Sequence, residues 1–577
     1  MSLTSQQKHY IKKNVKKLSP VQMASDLDLP LKKIRKYLKD HFPHNRSGEK
    51  NSTPEIFKPE ISSFNFYNFF AENISIFILI FFLVFISYFN TLDNGFVSDD
   101  IPNILKNNAL GDASNLFAGH FNAFVGNFIN FIAYKISGTN TVPFRLFAVI
   151  FHLGAVFSAY VLLSLLFKKR IAALAATLFA VHPILAESVT WTSGNPYCRY
   201  SFFFLISFIF YLLSKNNRKY YYLSIFFFIL SLLSSTSAPV AFLIFFLYEA
   251  SFGSIRQFWK KLVSFVFLGA TSVLFFMIKI GERTNQVEKA YSQQPESINP
   301  FLQIPVAIGS YLKLVFWPQA LTLYQTEMGL TTVQYLIFLF IFIIFLGSIF
   351  YSWKKNKTIF FWLMFFVIAL LPTLTPLKIA WIVAERYVYL GSIGIFVVFA
   401  MFLDWLIKRL GEKDEKYKFA IYSFFAVIIL ALSIRTMVRN MDWQSEDSLW
   451  IATAKTSPSG PNTHNNMGDV YSRHGDLEKA AEEFSKAIEL NPLYADAYHN
   501  LGITYIKMGE TSKAADALQK SLQINPDLWQ SYQNLAVIYF NQGDYVKALE
   551  YSKKGLEVNP QDPTLNQNLK LIEDKLK

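Results

Sequence analysis

Between Ile74 and Met437 one feature dominates: successive runs of Phe, Ile and Leu, several of them about 18 residues or longer, enough to cross roughly 30 Å of hydrocarbon. A bilayer core offers no water to unpaired N–H and C=O groups, so each run must satisfy its own backbone, and a helix does this within one segment. The expectation is an all-α, polytopic membrane protein. Aromatic residues make up 17% of the chain, largely through 59 Phe, which suits lipid-facing surfaces.

Parity and the positive-inside rule give eleven spans from an inner N-terminus. They cover residues 74–91, 143–167, 171–190, 200–214, 220–235, 238–250, 262–280, 332–353, 358–374, 388–407 and 417–437. Lys168, Lys169 and Arg170, then Lys215, Arg218 and Lys219, then Lys354, Lys355 and Lys357 fall inside on this count. It requires residues 301–317 to lie on or dip into the outer face. Residues 121–136, interrupted by Asn122, Asn127, Asn130 and Lys135, read as an interfacial amphipathic helix.

The expected domains are a cytosolic three-helix mini-domain over 1–45, a linker over 46–72, a transmembrane domain over 73–438, a connector or half repeat over 439–460, and a repeat array over 461–577. Residues 1–60 carry +7 and residues 461–577 carry −4 of the chain's net +14, so a basic start faces anionic lipid or is simply a solvated lysine face. The mini-domain is helix-turn-helix-like but tethered to a membrane, and no nucleic-acid partner is expected. The first apolar run starts too far in for a cleaved signal peptide and is expected to stay as an anchor. Cys198 is the one cysteine, which excludes an internal disulfide and a thiolate zinc site.

The C-terminal array is periodic. Pro458, Pro492, Pro526 and Pro560 recur every 34 residues, the period of tetratricopeptide repeats (TPRs). Gly468, Tyr471 and Ala480 recur in register as Gly502, Tyr505 and Ala514, then Ala536, Tyr539 and Ala548. Asn466, Asn500 and Asn534 share the spacing. Such amides could hold an extended acceptor peptide by its backbone, or could merely suit that helix.

On the parity count the array, Asp99, Asp100, Glu187, Glu385 and Arg386 all lie extracytoplasmically. Chemistry there has no soluble nucleotide donor. It points to a sugar carried on a polyprenyl phosphate and moved to an acceptor hydroxyl. That step needs a carboxylate to take the hydroxyl proton and cations for the departing phosphate. Asp99 and Asp100 suit the first role, and Arg145, Arg199, Lys279 and Arg386 the second. An Asp pair is equally a solvated turn, His182 with Pro183 a helix kink, and Glu385–Arg386 an ion pair at a span entrance. No His/Asp/Glu spacing marks a structural metal, although an Asp pair could hold a divalent cation if the donor were a pyrophosphate.

Four stretches in order carry a family resemblance: Gly95 to Asp100, Ala180 to Val189, Glu385 to Leu390, and Arg439-Asn440 with Trp443 and Glu446. With the repeats behind them, the chain resembles the transmembrane and TPR repeat-containing (TMTC) proteins and their bacterial relatives, of the GT-C glycosyltransferase superfamily and similar to protein O-mannosyltransferases. The resemblance implies an inverting membrane glycosyltransferase that moves a sugar from a polyprenyl-phosphate donor to an exported or surface protein. Asp99 or Asp100 would be the base, and His182, Glu187, Glu385 and Arg386 would line the donor site. A bacterial plasma membrane is the expected location, with the array outside. The chain departs from the family at Phe121-Asn122-Ala123, Asn195-Pro196-Tyr197 and Ser234-Ser235-Thr236, where charged residues are usual. Competing functions are an inactive scaffold whose TPRs recruit exported proteins, and a surface-polysaccharide ligase or polymerase.

Overall fold

The computed structural model describes residues 4–14, 64–117, 121–215, 217–253, 264–271, 300–323, 331–374 and 383–577, with isolated positions at 23–38, 259 and 273–277. The chain forms two compact units, Met1–Lys58 and Pro59–Lys577. In the first, helix Ser5–Asn14 contributes Ile11 to a small core with Met23, Ala24 and Ile34. The other two helices expected there lie largely outside the described residues.

The second unit is helical throughout its described residues, and no strand occurs among them. Six helices are long and apolar enough to cross a membrane: Ile74–Thr91, Thr141–Leu166, Thr192–Leu213, Thr332–Lys355, Glu385–Gly411 and Glu415–Asp442. A bent pair, Lys169–Val181 with Pro183–Thr190, makes a seventh if counted as one span. The chain is an integral membrane protein.

The eleven-span count is not reproduced. Ala238–Phe252, Leu302–Phe316 and Lys357–Leu370 are apolar but shorter, and Arg218–Leu232 has only 15 residues. Of the expected span at 262–280, residues 264–271, 273, 274 and 277 are described, and all are helical. Of the expected linker, residues 66–72 are helix Phe66–Glu72, started by the Asn65 side chain accepting from Asn68 N–H.

Burial separates lipid-facing from packed helices. Only 6% of the apolar window of Thr332–Lys355 is buried, against 67% in Glu385–Gly411. One core built from Ile74–Tyr88, Thr141–Leu166, Lys169–Val181, Pro196–Leu213, Lys357–Leu370 and Tyr389–Gly411 fills the bundle. Its mid-depth polar group is His152, whose ring meets the Tyr389 hydroxyl at 2.6 Å and the Ala180 carbonyl at 3.2 Å. These contacts tie together helices Thr141–Leu166, Lys169–Val181 and Tyr389–Gly411 at mid-depth.

The two ends of the bundle differ in charge. At one, Asp404 binds Arg170 and Lys408, and Lys169 reaches Glu72. At the other lie Arg145, Glu187, Glu385 and Arg439, and the repeats. Pro183 sets the seventh element's shape. It lacks an N–H and its ring would clash with the preceding turn, so helix Lys169–Val181 stops and the chain turns by 56°.

Beyond Asp442, helix Glu446–Thr456 packs on Pro461–Arg473, which with Leu477–Leu490 makes the first of three antiparallel helix pairs. The others are Ala495–Met508 with Thr511–Ile524 and Trp529–Asn541 with Tyr545–Val558, followed by Pro563–Leu576. Gly475, Gly509 and Gly543 sit in each inter-helix turn at φ 79–80°, a conformation that side chains disfavour. That requirement explains why glycine recurs at the 34-residue period.

Candidate active site

The first loop is built against the far ends of three other segments. The Asn94 side chain donates to Asn440 O and Gly95 N–H to Gln444 O, both at 2.9 Å. Trp191 Nε1–H donates to Val97 O at 3.3 Å. Ser98, at φ 53°, follows, and its N–H is taken by Glu446 Oε1.

The two acidic residues then part. Asp100 is fully buried. Its Oδ2 lies 3.3 Å from Arg145, while Oδ1 accepts Ser193 N–H at 2.8 Å and the Ser193 hydroxyl at 2.7 Å. Burial pushes its carboxyl above the ordinary carboxylate range, against the pull of Arg145 and Ser193. Arg145 also donates to Thr190 O, to Gly95 O and, at 2.9 Å, to the Thr192 hydroxyl. Asp99 is exposed. Asp100 is thus a fixed brace, and Asp99 is the carboxylate of the pair open to solvent.

Glu385 and Arg386 do not pair with each other, which corrects the sequence alternative of a local ion pair at the span entrance. Arg386 binds Glu187, whose Oε2 also accepts Arg386 N–H at 3.0 Å. Glu385 accepts Arg439 Nη2–H at 2.9 Å, and Arg439 reaches Asp442 at 2.9 Å. The two pairs are joined by stacked rings. Arg386 lies over Trp191 at 5.3 Å, Trp191 stacks on Trp443 at 5.4 Å, and Arg439 lies over Trp443 at 5.4 Å. Asp99, Asp100, Glu187, Glu385 and Arg386 therefore converge on one end of the bundle. Val97, Trp191, Leu323, Trp443, Leu449, Trp450 and Val470 form a small core there that includes the first repeat.

His182 stands deeper. Its Nδ1 accepts Ile184 N–H at 3.2 Å, so the other nitrogen carries the proton and donates to Val315 O at 2.8 Å. Both nitrogens are engaged in holding the bend.

Of the cations expected to hold phosphate, Arg145 and Arg386 are paired to carboxylates and Lys279 lies outside the described residues. Arg199 is 5% exposed, and its Nε is buried without a hydrogen-bond partner. Among the described residues it has no ion pair. Its Nη2 lies against Gly126, 2.8 Å from where a Cβ would stand. Gly126 belongs to helix Phe124–Ser137, anchored by Val125 N–H to Leu233 O at 3.1 Å. Asn122, Asn195 and Ser234 lie within four residues in the chain of Gly126, Arg199 and Leu233 respectively. Asn195 directly precedes its helix, and its side chain donates to the carbonyls of Ser188, Val189 and Trp191.

Among the described residues no group of three or more His, Cys, Asp or Glu is placed to hold a metal ion. With both Asp100 oxygens committed, the Asp pair offers a cation one open carboxylate.

Of the sequence-predicted amides, Asn500 donates to Asn465 Oδ1 at 3.0 Å, and Asn534 to Gln530 O one turn back at 3.0 Å. All three Asn side chains are half-buried. Sequence reasoning missed Ser193, Thr192 and Trp191 around Asp100. The signal was there in Trp191-Thr192-Ser193-Gly194, a polar turn directly after a span that already held Glu187.

Residues 122–277 match the family model of dolichyl-phosphate-mannose-protein mannosyltransferases, and 468–509, 495–528 and 529–562 match tetratricopeptide-repeat models. The chain is 24% identical over 479 residues to human protein O-mannosyl-transferase TMTC3, covering 70% of this chain and 50% of that one. It is 30% identical over 118 residues to Drosophila melanogaster protein O-mannosyl-transferase Tmtc2, covering 20% and 12%. The chain spans at most about half the length of these relatives. Among solved structures it is similar to the Archaeoglobus fulgidus oligosaccharyltransferase, at 13% identity and TM-score 0.38 over 72% of this chain and 59% of that one.

Proposed function

We propose that the protein is a membrane glycosyltransferase of GT-C type that moves a sugar from a polyprenyl-phosphate donor to a hydroxyl of an exported or surface protein. One observation carries this reading: Asp99 is an open carboxylate on a loop braced from four sides, at the bundle end where the repeats attach. The match to a mannosyltransferase model over residues 122–277 and the TMTC similarity support it and make mannose the first sugar to test.

Asp99 takes the acceptor's hydroxyl proton as the oxygen attacks the sugar's anomeric carbon. The bond from that carbon to the phosphate oxygen breaks, and polyprenyl phosphate leaves with the electron pair. Attack opposite the leaving group inverts the anomeric centre. The phosphate is a weak base, so a fixed cation suffices, and Arg199 is the buried guanidinium free for it. A groove of about 720 Å³ bounded by Phe316, Ile344, Tyr351, Ile359, Phe399 and Phe402 is apolar enough for a prenyl chain. Glu187, Glu385 and Arg386, expected at the donor, take the role of walls whose charges are already balanced. On the positive-inside rule the end bearing Lys169, Arg170 and Lys408 faces the cytoplasm and the repeats face out, in a plasma membrane.

The scaffold reading draws on the same pairing: three carboxylates are neutralised by arginine and could serve architecture alone. The deciding experiment incubates the purified full chain in lipid nanodiscs with radiolabelled polyprenyl-phosphate mannose and an acceptor protein. Label on the acceptor with wild type but not with Arg199→Met supports the transferase. No transfer from any polyprenyl-phosphate sugar leaves the scaffold.

A further inference from the structure

Glu446 opens the helix that leads from the last membrane span to the repeats, and its carboxylate serves two segments. Oε1 accepts the N–H of Ser98, and Oε2 accepts the indole N–H of Trp450 at 2.9 Å. Trp450 is buried in the small core that also holds Val97. Ser98 is the one residue other than glycine in the left-handed region among the described residues. That conformation is disfavoured for any residue with a Cβ, and it sets the direction in which the chain enters Asp99.

The rest of the loop is fixed by other groups. Its start is held by Asn440 and Gln444, and its end by the contacts of Asp100 with Arg145 and Ser193. The Ser98 amide between them goes to Glu446. The connector helix is itself anchored on its other side: Asp447 binds Arg473 and His474 at the end of the first repeat helix, both at 2.7 Å. Two consecutive carboxylates thus face opposite ways, one toward the acidic loop and one toward the array.

We infer that Glu446 is a positioning residue: by holding the Ser98 amide it keeps Ser98 left-handed and so sets where Asp99 presents its carboxylate. Without that acceptor, Ser98 relaxes to an ordinary backbone region and swings Asp99 away. The inference rests on the reading of Asp99 as the base.

The test uses the full chain in nanodiscs. Glu446→Ala should lower kcat about ten- to a hundredfold, the usual cost of a misplaced group, with KM for donor and acceptor within about twofold. Glu446→Gln, which keeps an oxygen acceptor, should lose less. Ser98→Gly placed in the Glu446→Ala background should recover part of kcat, because glycine takes the left-handed conformation without a steric cost. Hydrogen exchange over residues 96–100 should quicken in Glu446→Ala and leave the repeats unchanged. Unchanged exchange in that segment, or a kcat loss that Ser98→Gly does not relieve, overturns the inference. If wild type transfers no sugar, the reading of Asp99 fails instead, and the exchange comparison still decides whether Glu446 holds the loop.

Discussion

Glu385 and Arg386 are neighbours in the chain whose side chains bind different segments: Glu385 takes Arg439 at the end of the last span, and Arg386 takes Glu187 beside the Pro183 bend. One peptide unit thereby ties together the start of helix Glu385–Gly411, the bent element and the final helix. The Trp191–Trp443 stack lies between the two pairs, so the charges share a single aromatic partition. The arrangement braces the loop that carries Asp99.

Breaking one partner of a buried pair leaves the other charge uncompensated, which costs about 3–5 kcal/mol. Glu385→Gln should therefore lower the thermal unfolding temperature of the detergent-solubilised chain sharply. Glu385→Gln with Arg439→Gln should cost less than the two single changes added together. Strict additivity would show that the pair is not coupled.

The two acidic residues of the first loop should separate by phenotype. Asp99→Asn is expected to reduce transfer by about 10²–10⁴, the usual worth of a general base, while leaving the unfolding temperature within error of wild type. Asp100→Asn strands Arg145 in a buried site and should lower that temperature. Measuring transfer and unfolding on the same preparations checks both, and equal thermal losses would remove the distinction.

What the sequence disclosed follows from what is local. The 34-residue period was readable because the interhelix prolines and the small residues Gly468, Gly502 and Ala536 meet demands within one repeat. The His182–Pro183 break was readable for the same reason. Span number was less so, because hydropathy cannot tell a crossing helix from a 14- to 17-residue apolar one such as Lys357–Leu370 or Pro300–Phe316. Charge partners were not readable at all. Arg386 and Glu187 are 199 residues apart, and Ser98 and Glu446 are 348 apart. The sequence singled out Asp99, Asp100, Glu187, Glu385 and Arg386 but not Trp191, Thr192 or Ser193, and it left open which carboxylate is braced and which is open.

The array should weaken in mild acid. Burial pushes the His499 imidazole down to about 4 from an ordinary 6.5, and its Nδ1 lies 2.7 Å from the Ser531 hydroxyl. The folded array holds it neutral, whereas an unfolded chain protonates it near 6.5. This contribution is therefore complete above pH 6.5 and is lost as pH falls toward 4, by about 2 kcal/mol once the ring's partial exposure is allowed for. Thermal unfolding of the intact chain from pH 7.5 to 4.5 should show a slope that His499→Gln reduces. An unchanged slope in the variant would place the titrating group elsewhere.

Topology follows from the opposite ends of helix Thr141–Leu166 and the segments packed on it. Reporters fused after Lys169 and after Pro458 should lie on opposite sides of the membrane, the second outside. Agreement between them would overturn the topology from which Asp99 is placed outside.

The acceptor surface gives the last prediction. Asn466, Asn500 and Asn534 recur on the first helix of each repeat, and an extended peptide held by its backbone would pass such a row without its sequence being read. Asn500 spends an amide proton on Asn465, and Asn534 spends one on its own helix. Each side-chain amide has two N–H donors and a carbonyl oxygen, so these bonds orient the groups and still leave capacity for a peptide. Three helix pairs form a short curved surface, and helix Glu446–Thr456 keeps its first repeat close to the Asp99 loop through the core shared by Val97, Trp450 and Val470. A docked segment would therefore raise the local concentration of its hydroxyls near Asp99. Replacing all three Asn by Ala should raise KM for a full-length protein acceptor several-fold, leave KM for the donor unchanged, and leave turnover of a short free acceptor intact. Normal handling of full-length acceptors by the triple variant would make the amides a packing feature of the repeats and return the array to a docking surface.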